Sequence, residues 1–199
     1  SKASPNHLYT IWMGSNNYLG LPEAPNQEVD LVISGIKESA LRLKDAGAKY
    51  VMIIGLPDLG RTPLAAEFES QEELTYLTHL HNKRLANEVK VLQAEHPEVT
   101  WIYFEMNDLF IKALTYPEHY NYKNTKGTCY DMIDYALSPS QPVLNMVARV
   151  QPKTMAVHNT EDVCSAFLFF DPVHPAGKAH KFIAEYAIDL IEKNGIFFQ

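Results

Sequence analysis

The residues best equipped for chemistry are Asp171 and His174, in the stretch Asp171-Pro172-Val173-His174-Pro175. A carboxylate three residues ahead of a histidine, on a turn entering a helix, can reach the ring Nδ1. That leaves Nε2 free to take a proton from a hydroxyl nucleophile. Asp171 is also suited to cap the helix, with Pro172 or Pro175 in its first turn. A second group, Gly14-Ser15-Asn16-Asn17, follows an apolar run near the N-terminus. An asparagine just after a buried strand can aim its side-chain NH2 at a developing oxyanion, worth on the order of 3 kcal/mol when well placed. Asparagine is equally at home there as a turn former in left-handed geometry. A third polar turn, Leu56-Pro57-Asp58-Leu59-Gly60, also ends an apolar run.

The elements that must position these turns follow from periodicity. Residues 8–13 are apolar and β-prone and read as a buried strand that Gly14 ends. Asn26 is a good N-cap for a helix with apolar residues at Val29, Val32, Ile33, Ile36, Ala40 and Leu43, and Gly47 stops it. Residues 50–54 form a second apolar strand, so the pair is parallel. Ser70-Gln71-Glu72-Glu73 is a capping box opening a helix with Leu74, Leu77, Leu80, Leu85, Val89 and Leu92, which His96-Pro97 ends. A third strand covers residues 100–104. The closing helix runs over 175–194 with Phe182, Ile183, Ala187, Leu190 and Ile191 facing inward and Gly195 as its stop. In an open parallel α/β sheet the ligand crevice lies beyond the carboxyl ends of the strands, so the three polar turns are expected on one rim. Residues 115–164 break the pattern and read as an irregular insert, with residues 138–160 either a lid over an apolar pocket or a plain surface loop.

Bulk properties limit the function. At 199 residues and 46% apolar content the chain has the size of one domain and enough apolar side chains for a real core. The net charge of -7, with basic residues scattered, argues against nucleic acid as a partner. No apolar run approaches the roughly 18 residues a transmembrane segment needs. No glycine-rich phosphate loop follows a strand, and His79 and His81, two apart on a helix, point to different faces, so neither a nucleotide cofactor nor a metal is expected. Cys129 and Cys164 either close one disulfide, stabilising by roughly 3 to 5 kcal/mol, or remain two buried thiols. The chain opens in Ser1-Lys2-Ala3-Ser4-Pro5, without signal peptide or initiator Met, as a processed or truncated product would.

Three blocks together carry a resemblance. Trp12-Met13-Gly14-Ser15-Asn16-Asn17-Tyr18, Leu56-Pro57-Asp58-Leu59-Gly60 and Asp171-Pro172-Val173-His174-Pro175 resemble the SGNH or GDSL-type hydrolases. Within that family they look most like the secreted bacterial lysophospholipase A and glycerophospholipid-cholesterol acyltransferase group. The resemblance implies a three-layer α/β/α fold with a flavodoxin-like parallel sheet. It makes Asn16 the oxyanion donor, His174 the general base and Asp171 the residue that orients it, with Asn17 where the family has aspartate. No Gly-Asp-Ser block exists in the chain, and Ser15 lies inside the oxyanion turn, so no nucleophile is assigned here. The resemblance therefore implies that residues 1–199 are the C-terminal two thirds of a single domain. The serine would sit on an upstream segment of the same enzyme, and the strand at 8–13 would be left as a bare edge.

The implied activity is that of a lipolytic ester hydrolase (phospholipase A or lysophospholipase) or lipid acyltransferase, secreted or periplasmic. The aromatic and Met-rich insert, and a cysteine placed shortly before His174 as in the acyltransferases, favour lipid over sugar or small-ester substrates. A catalytically silent α/β binding module is the other alternative. A bonded Cys129–Cys164 pair is expected in an oxidising compartment, and the resemblance makes the loop between them a lid or activation segment cleaved near Arg149 or Lys153.

Overall fold

The computed structural model describes residues 2–131 and 164–197. In chain order its elements are β1 (Leu8–Ile11), α1 (Ser15–Tyr18), α2 (Pro25–Ala46), β2 (Tyr50–Ile54), α3 (Pro63–Glu67), α4 (Gln71–Glu95), β3 (Thr100–Phe104), α5 (Met106–Thr115), β4 (Asn124–Thr128), β5 (Phe167–Phe169) and α6 (Gly177–Lys193). Strand β2, and β3 after Thr100, are apolar, as strands covered on both faces must be. They form a parallel sheet of order β1-β2-β3, with Tyr9 opposite Val51 and Val51 opposite Trp101. Alternation then sorts the side chains. Ile11, Val51, Ile53 and Trp101 pack against α2 and α4, whereas Met52, Ile54, Ile102 and Phe104 pack against α5 and α6. The result is a three-layer α/β/α arrangement, the expected fold class.

The long helix α4 buries Leu74, Leu77, Leu85, Val89 and Leu92, each contributing about 1.5 to 3 kcal/mol. It begins where the capping box predicts, although the Ser70 side chain makes no capping bond. Helix α2 starts two residues earlier than expected, because Pro25 fills the first position, where no N–H is missed. Asn26 is therefore inside the helix, and its Oδ1 accepts from Arg84 Nη2 at 2.7 Å. Gly47 ends the helix in left-handed geometry at φ 109, donating to Leu43 O and Lys44 O.

Strand β1 is shorter than the sequence suggests. It ends at Ile11, leaving Trp12 42% and Met13 50% exposed. Among the described residues β1 pairs only with β2, so its far edge has no ladder to prolong it before Gly14 turns the chain at φ 117.

The region after α5 departs further from expectation. Residues read as the start of an irregular insert form a 3-10 turn, Pro117–Tyr120, and strand β4, which pairs in parallel with β5. This second sheet packs on α5 and α6 through Ala113, Tyr122, Leu168, Phe169 and Ala179. The apolar run before Asp171 thus belongs to the small sheet, not to the central one. Burial from α5 and α6 makes that possible, since Asn-Thr-Lys-Gly-Thr has no strand pattern of its own. The candidate lid at 138–160, with Arg149 and Lys153, lies outside the described residues.

Cys129 and Cys164 are bonded, with Cα atoms 5.3 Å apart. The bond joins the end of β4 to the approach to β5 and staples the small sheet. Replacing both by serine should lower the free energy of unfolding by roughly 3 to 4 kcal/mol, by loop-closure entropy. Urea titration checks this, and a loss under about 1 kcal/mol would show that the staple does not hold the sheet.

Candidate active site

Because β1, β2 and β3 are parallel, the turns that follow them lie at one rim. The turns after β1 and β2 are fixed from behind by a polar stripe on α4 at Thr75, Thr78, His81 and Asn82, spaced to share one helix face. Thr75 Oγ1 donates to Asp58 Oδ1 at 2.7 Å, and Leu59 N donates to Thr78 Oγ1 at 3.2 Å. Leu56 N donates to Asn82 Oδ1 and Asn82 Nδ2 donates back to Leu56 O, both at 2.8 Å. The turn after β2 is therefore held at three points. Gly60 sits so close to α4 that a Cβ would lie 2.1 Å from Gln71 O and from Thr75 Oγ1. Asn107, just after β3, accepts from Asp58 N at 2.9 Å and ties the third turn to the second.

The turn after β1 carries Gly14, Ser15, Asn16 and Asn17. Asn16 is exposed in α1, Asn17 Nδ2 donates to Glu28 Oε1 at 2.7 Å, and Tyr18 is fully buried. Behind it His81, also fully buried, places Nδ1 2.8 Å from Tyr18 Oη.

Asp171 and His174 sit on a loop closed at its base by Phe170 N donating to His174 O (2.9 Å) and Ala176 N donating to Leu168 O (2.8 Å). The Asp171 carboxylate gathers the loop inward: its Oδ1 accepts from Val173 N at 2.9 Å and His174 N at 2.7 Å. The ring Nδ1 lies 2.8 Å from Oδ2 and 3.0 Å from Oδ1, while most of the His174 side chain faces solvent. With Nδ1 engaged, Nε2 is the nitrogen with no hydrogen-bond partner among the described residues. Asp171 does not cap the helix, since α6 starts at Gly177 after an Ala176 cap. Leu64 N, in α3, donates to Pro172 O at 3.0 Å and anchors the loop to the main body.

A cavity lies beside the histidine. Val173 and Pro175 line it together with Trp12 and Pro57 from the rim and Phe110, Tyr122, Phe169 and Phe182 from the α5, α6 and small-sheet layer. It brings the turn after β1 and the His174 loop to one pocket. Burial pushes the Tyr122 phenol up to about 12, so it faces the pocket uncharged.

The predicted residues Asp171 and His174 meet as a pair, and Asn16 stands on the turn expected of it. Sequence reasoning missed Tyr18, Thr75, Thr78, His81, Asn82 and Asn107. Polar residues recurring on the apolar stripe of α4 were the available signal for four of them. Among the described residues no three His, Cys, Asp or Glu side chains cluster as metal ligands would.

A family model described as GDSL-like lipase/acylhydrolase matches residues 1–187. The chain belongs to the GDSL-like lipase/acylhydrolase family. It is 26% identical over 209 residues to a phosphatidylcholine-sterol acyltransferase of Aeromonas hydrophila, covering 94% of this chain and 62% of that protein. It is 26% identical over 187 residues to the thermolabile hemolysin of Vibrio parahaemolyticus, covering 92% of this chain and 41% of the other. A secreted effector protein, SseJ, of Salmonella typhimurium is 22% identical over 179 residues, covering 89% and 39%. This GDSL-like chain thus spans less than two thirds of the length of these relatives.

Within this GDSL-like site burial lowers the pKa of His81 to about 4. An imidazole in the unfolded chain titrates near 6.5, about its ordinary value. Below that pH the unfolded chain takes up a proton that the folded chain refuses until about pH 4. The stability contribution is complete above pH 6.5 and shrinks as pH falls toward 4. Between pH 7 and pH 5, His81 should cost roughly 2 kcal/mol of unfolding free energy. Urea titrations at both pH values should show the wild-type losing roughly that much more than His81→Asn. Equal losses would mean that His81 protonates as readily folded as unfolded.

Proposed function

We propose that this chain supplies the acid-base pair and the oxyanion turn of a lipolytic ester hydrolase or lipid acyltransferase, the serine nucleophile lying on an upstream segment of the same enzyme. The observation that carries the reading is the Asp171–His174 pair, with Nδ1 held at 2.8 Å and Nε2 free. Three further observations support it: membership of the family, the edge of β1 left unpaired among the described residues, and the share of the relatives' length that the chain spans. Residues 1–199 are then the C-terminal part of a single domain.

On this reading His174 Nε2 takes the proton from the serine Oγ as that oxygen attacks the ester carbonyl. The imidazolium is stabilised by the Asp171 carboxylate, which keeps its own charge. The carbonyl oxygen becomes an oxyanion, to which Asn16 Nδ2 donates. His174 then gives its proton to the leaving alcohol, and the acyl group stays on the serine. Water or a second alcohol repeats the cycle in reverse, giving hydrolysis or acyl transfer. No metal or cofactor enters these steps.

The apolar cavity flanked by Val173 and Pro175 favours a fatty acyl ester, such as a phospholipid or lysophospholipid, over a sugar ester. A sugar would need hydrogen-bonding partners that Leu109, Phe110, Phe169 and Phe182 cannot give. The Cys129–Cys164 bond supports a secreted or periplasmic location. Among the described residues no helix is long and apolar enough to cross a membrane.

In the complete enzyme His174→Ala should abolish nearly all turnover. Asn16→Ala should cost roughly a hundred- to a thousandfold in kcat with little change in KM. Asp171→Asn should fall between a tautomer defect and full loss. Steady-state kinetics on a chromogenic long-chain acyl ester decide this, and a His174→Ala enzyme with wild-type kcat would end the assignment.

A further inference from the structure

His81 takes no part in the proton transfers just described, yet it is fully buried against the turn that carries Asn16. Its Nδ1 lies 2.8 Å from Oη of Tyr18, the last residue of α1. A Cβ on Gly14, the first residue of the turn, would come within 2.9 Å of His81 Cε1, with Val32 Cγ1 at 3.0 Å. One ring therefore touches the turn on both sides of Asn16. The other bonds holding the turn are weaker constraints. Asn17 reaches Glu28 at the surface, and Asn17 N to Gly14 O (3.1 Å) and Leu21 N to Tyr18 O (2.9 Å) run within the segment itself.

The arrangement is costly as mere packing. His81 Nε2 is buried without a partner among the described residues, and a buried unpaired polar atom costs about 1 to 3 kcal/mol. A leucine would fill the space without that loss but would leave the buried Tyr18 hydroxyl unmatched. Tyr18 is also two residues past Asn16, so the direction of its hydroxyl fixes the roll of the single helical turn on which Asn16 stands.

We infer that His81 is a positioning residue of the oxyanion turn: its Nδ1 accepts the Tyr18 hydroxyl proton, and this bond, with the Gly14 contact, holds Asn16 in the orientation that meets the oxyanion. The inference rests on the reading of Asn16 as the oxyanion donor. Misplacement of a catalytic donor by about an ångström can cost on the order of a hundredfold in rate. Tyr18→Phe, which removes only the hydroxyl, should therefore lower kcat roughly ten- to a hundredfold with KM little changed.

Two features separate positioning from general stability. An asparagine at position 81 offers Oδ1 where the imidazole has Nδ1, whereas glutamine reaches toward the Nε2 position. His81→Asn should thus recover most of the kcat that His81→Gln loses. The penalty should also vanish once Asn16 is gone, so that Asn16→Ala/Tyr18→Phe is no slower than Asn16→Ala alone. The experiment is kcat and KM for these variants of the complete enzyme on a chromogenic acyl ester, well below each melting temperature. Coupled losses and rescue by asparagine support the inference. A Tyr18→Phe penalty that multiplies that of Asn16→Ala, or equal losses in His81→Asn and His81→Gln, would overturn it while leaving the oxyanion reading intact. Full activity in Asn16→Ala would overturn both.

Discussion

The rim of this fold depends on one helix face. Thr75, Thr78, His81 and Asn82 of α4 turn polar groups toward a sheet that is otherwise packed by leucines, and each meets a partner in the turns after β1 or β2. Polar groups in such a place are costly unless paired, and Asn82 is paired both ways with the backbone of Leu56. The apolar neighbours Leu74, Leu77 and Leu85 lock the helix against the sheet, and the polar stripe transfers that rigidity to two loops. On the proposed reading, an oxyanion donor at Asn16 would need this, because its contribution depends on being aimed before the charge develops.

The candidate base is held differently. His174 stands on a loop of the small sheet, outside the α4 clamp, and its placement depends on the Asp171 carboxylate, two backbone bonds at the base of the loop, the Leu64–Pro172 bond and the disulfide staple. On the proposed reading, the oxyanion turn and the separately tethered base face an apolar cavity that Trp12 lines from one side and Val173 from the other. The acyl chain of a substrate would then bridge the two parts, and its burial would bring the base to the reacting carbonyl.

The sequence made the central sheet legible because β2, β3, α2 and α4 have strong periodicity and local stops at Gly47 and His96. It also made the Asp171–His174 pair legible, since three residues on a tight loop are bound to meet. The small sheet was not legible, as β4 gains its structure from Tyr122 and Phe182 packing at a distance rather than from its own residues. The ends of β1 and α2 shifted because pairing and Pro25 outweighed apolar pattern and the Asn26 cap. His81 reads from sequence only as a poor metal partner for His79, two residues away on the same helix. Its bond to Tyr18 crosses sixty-three positions of sequence and follows only from the packing of α4 behind β1.

The central claim is that His174 activates a hydroxyl this chain does not itself provide. Fluorophosphonate labelling with peptide mass mapping tests it most directly, because the reagent reacts where a base deprotonates a serine and oxyanion donors hold the adduct. The account predicts no adduct on this chain alone, Ser15 included. It predicts one adduct on a serine of the upstream segment when that segment is present, lost on His174→Ala. Stoichiometric labelling of Ser15, or of any serine within residues 1–199, would contradict it.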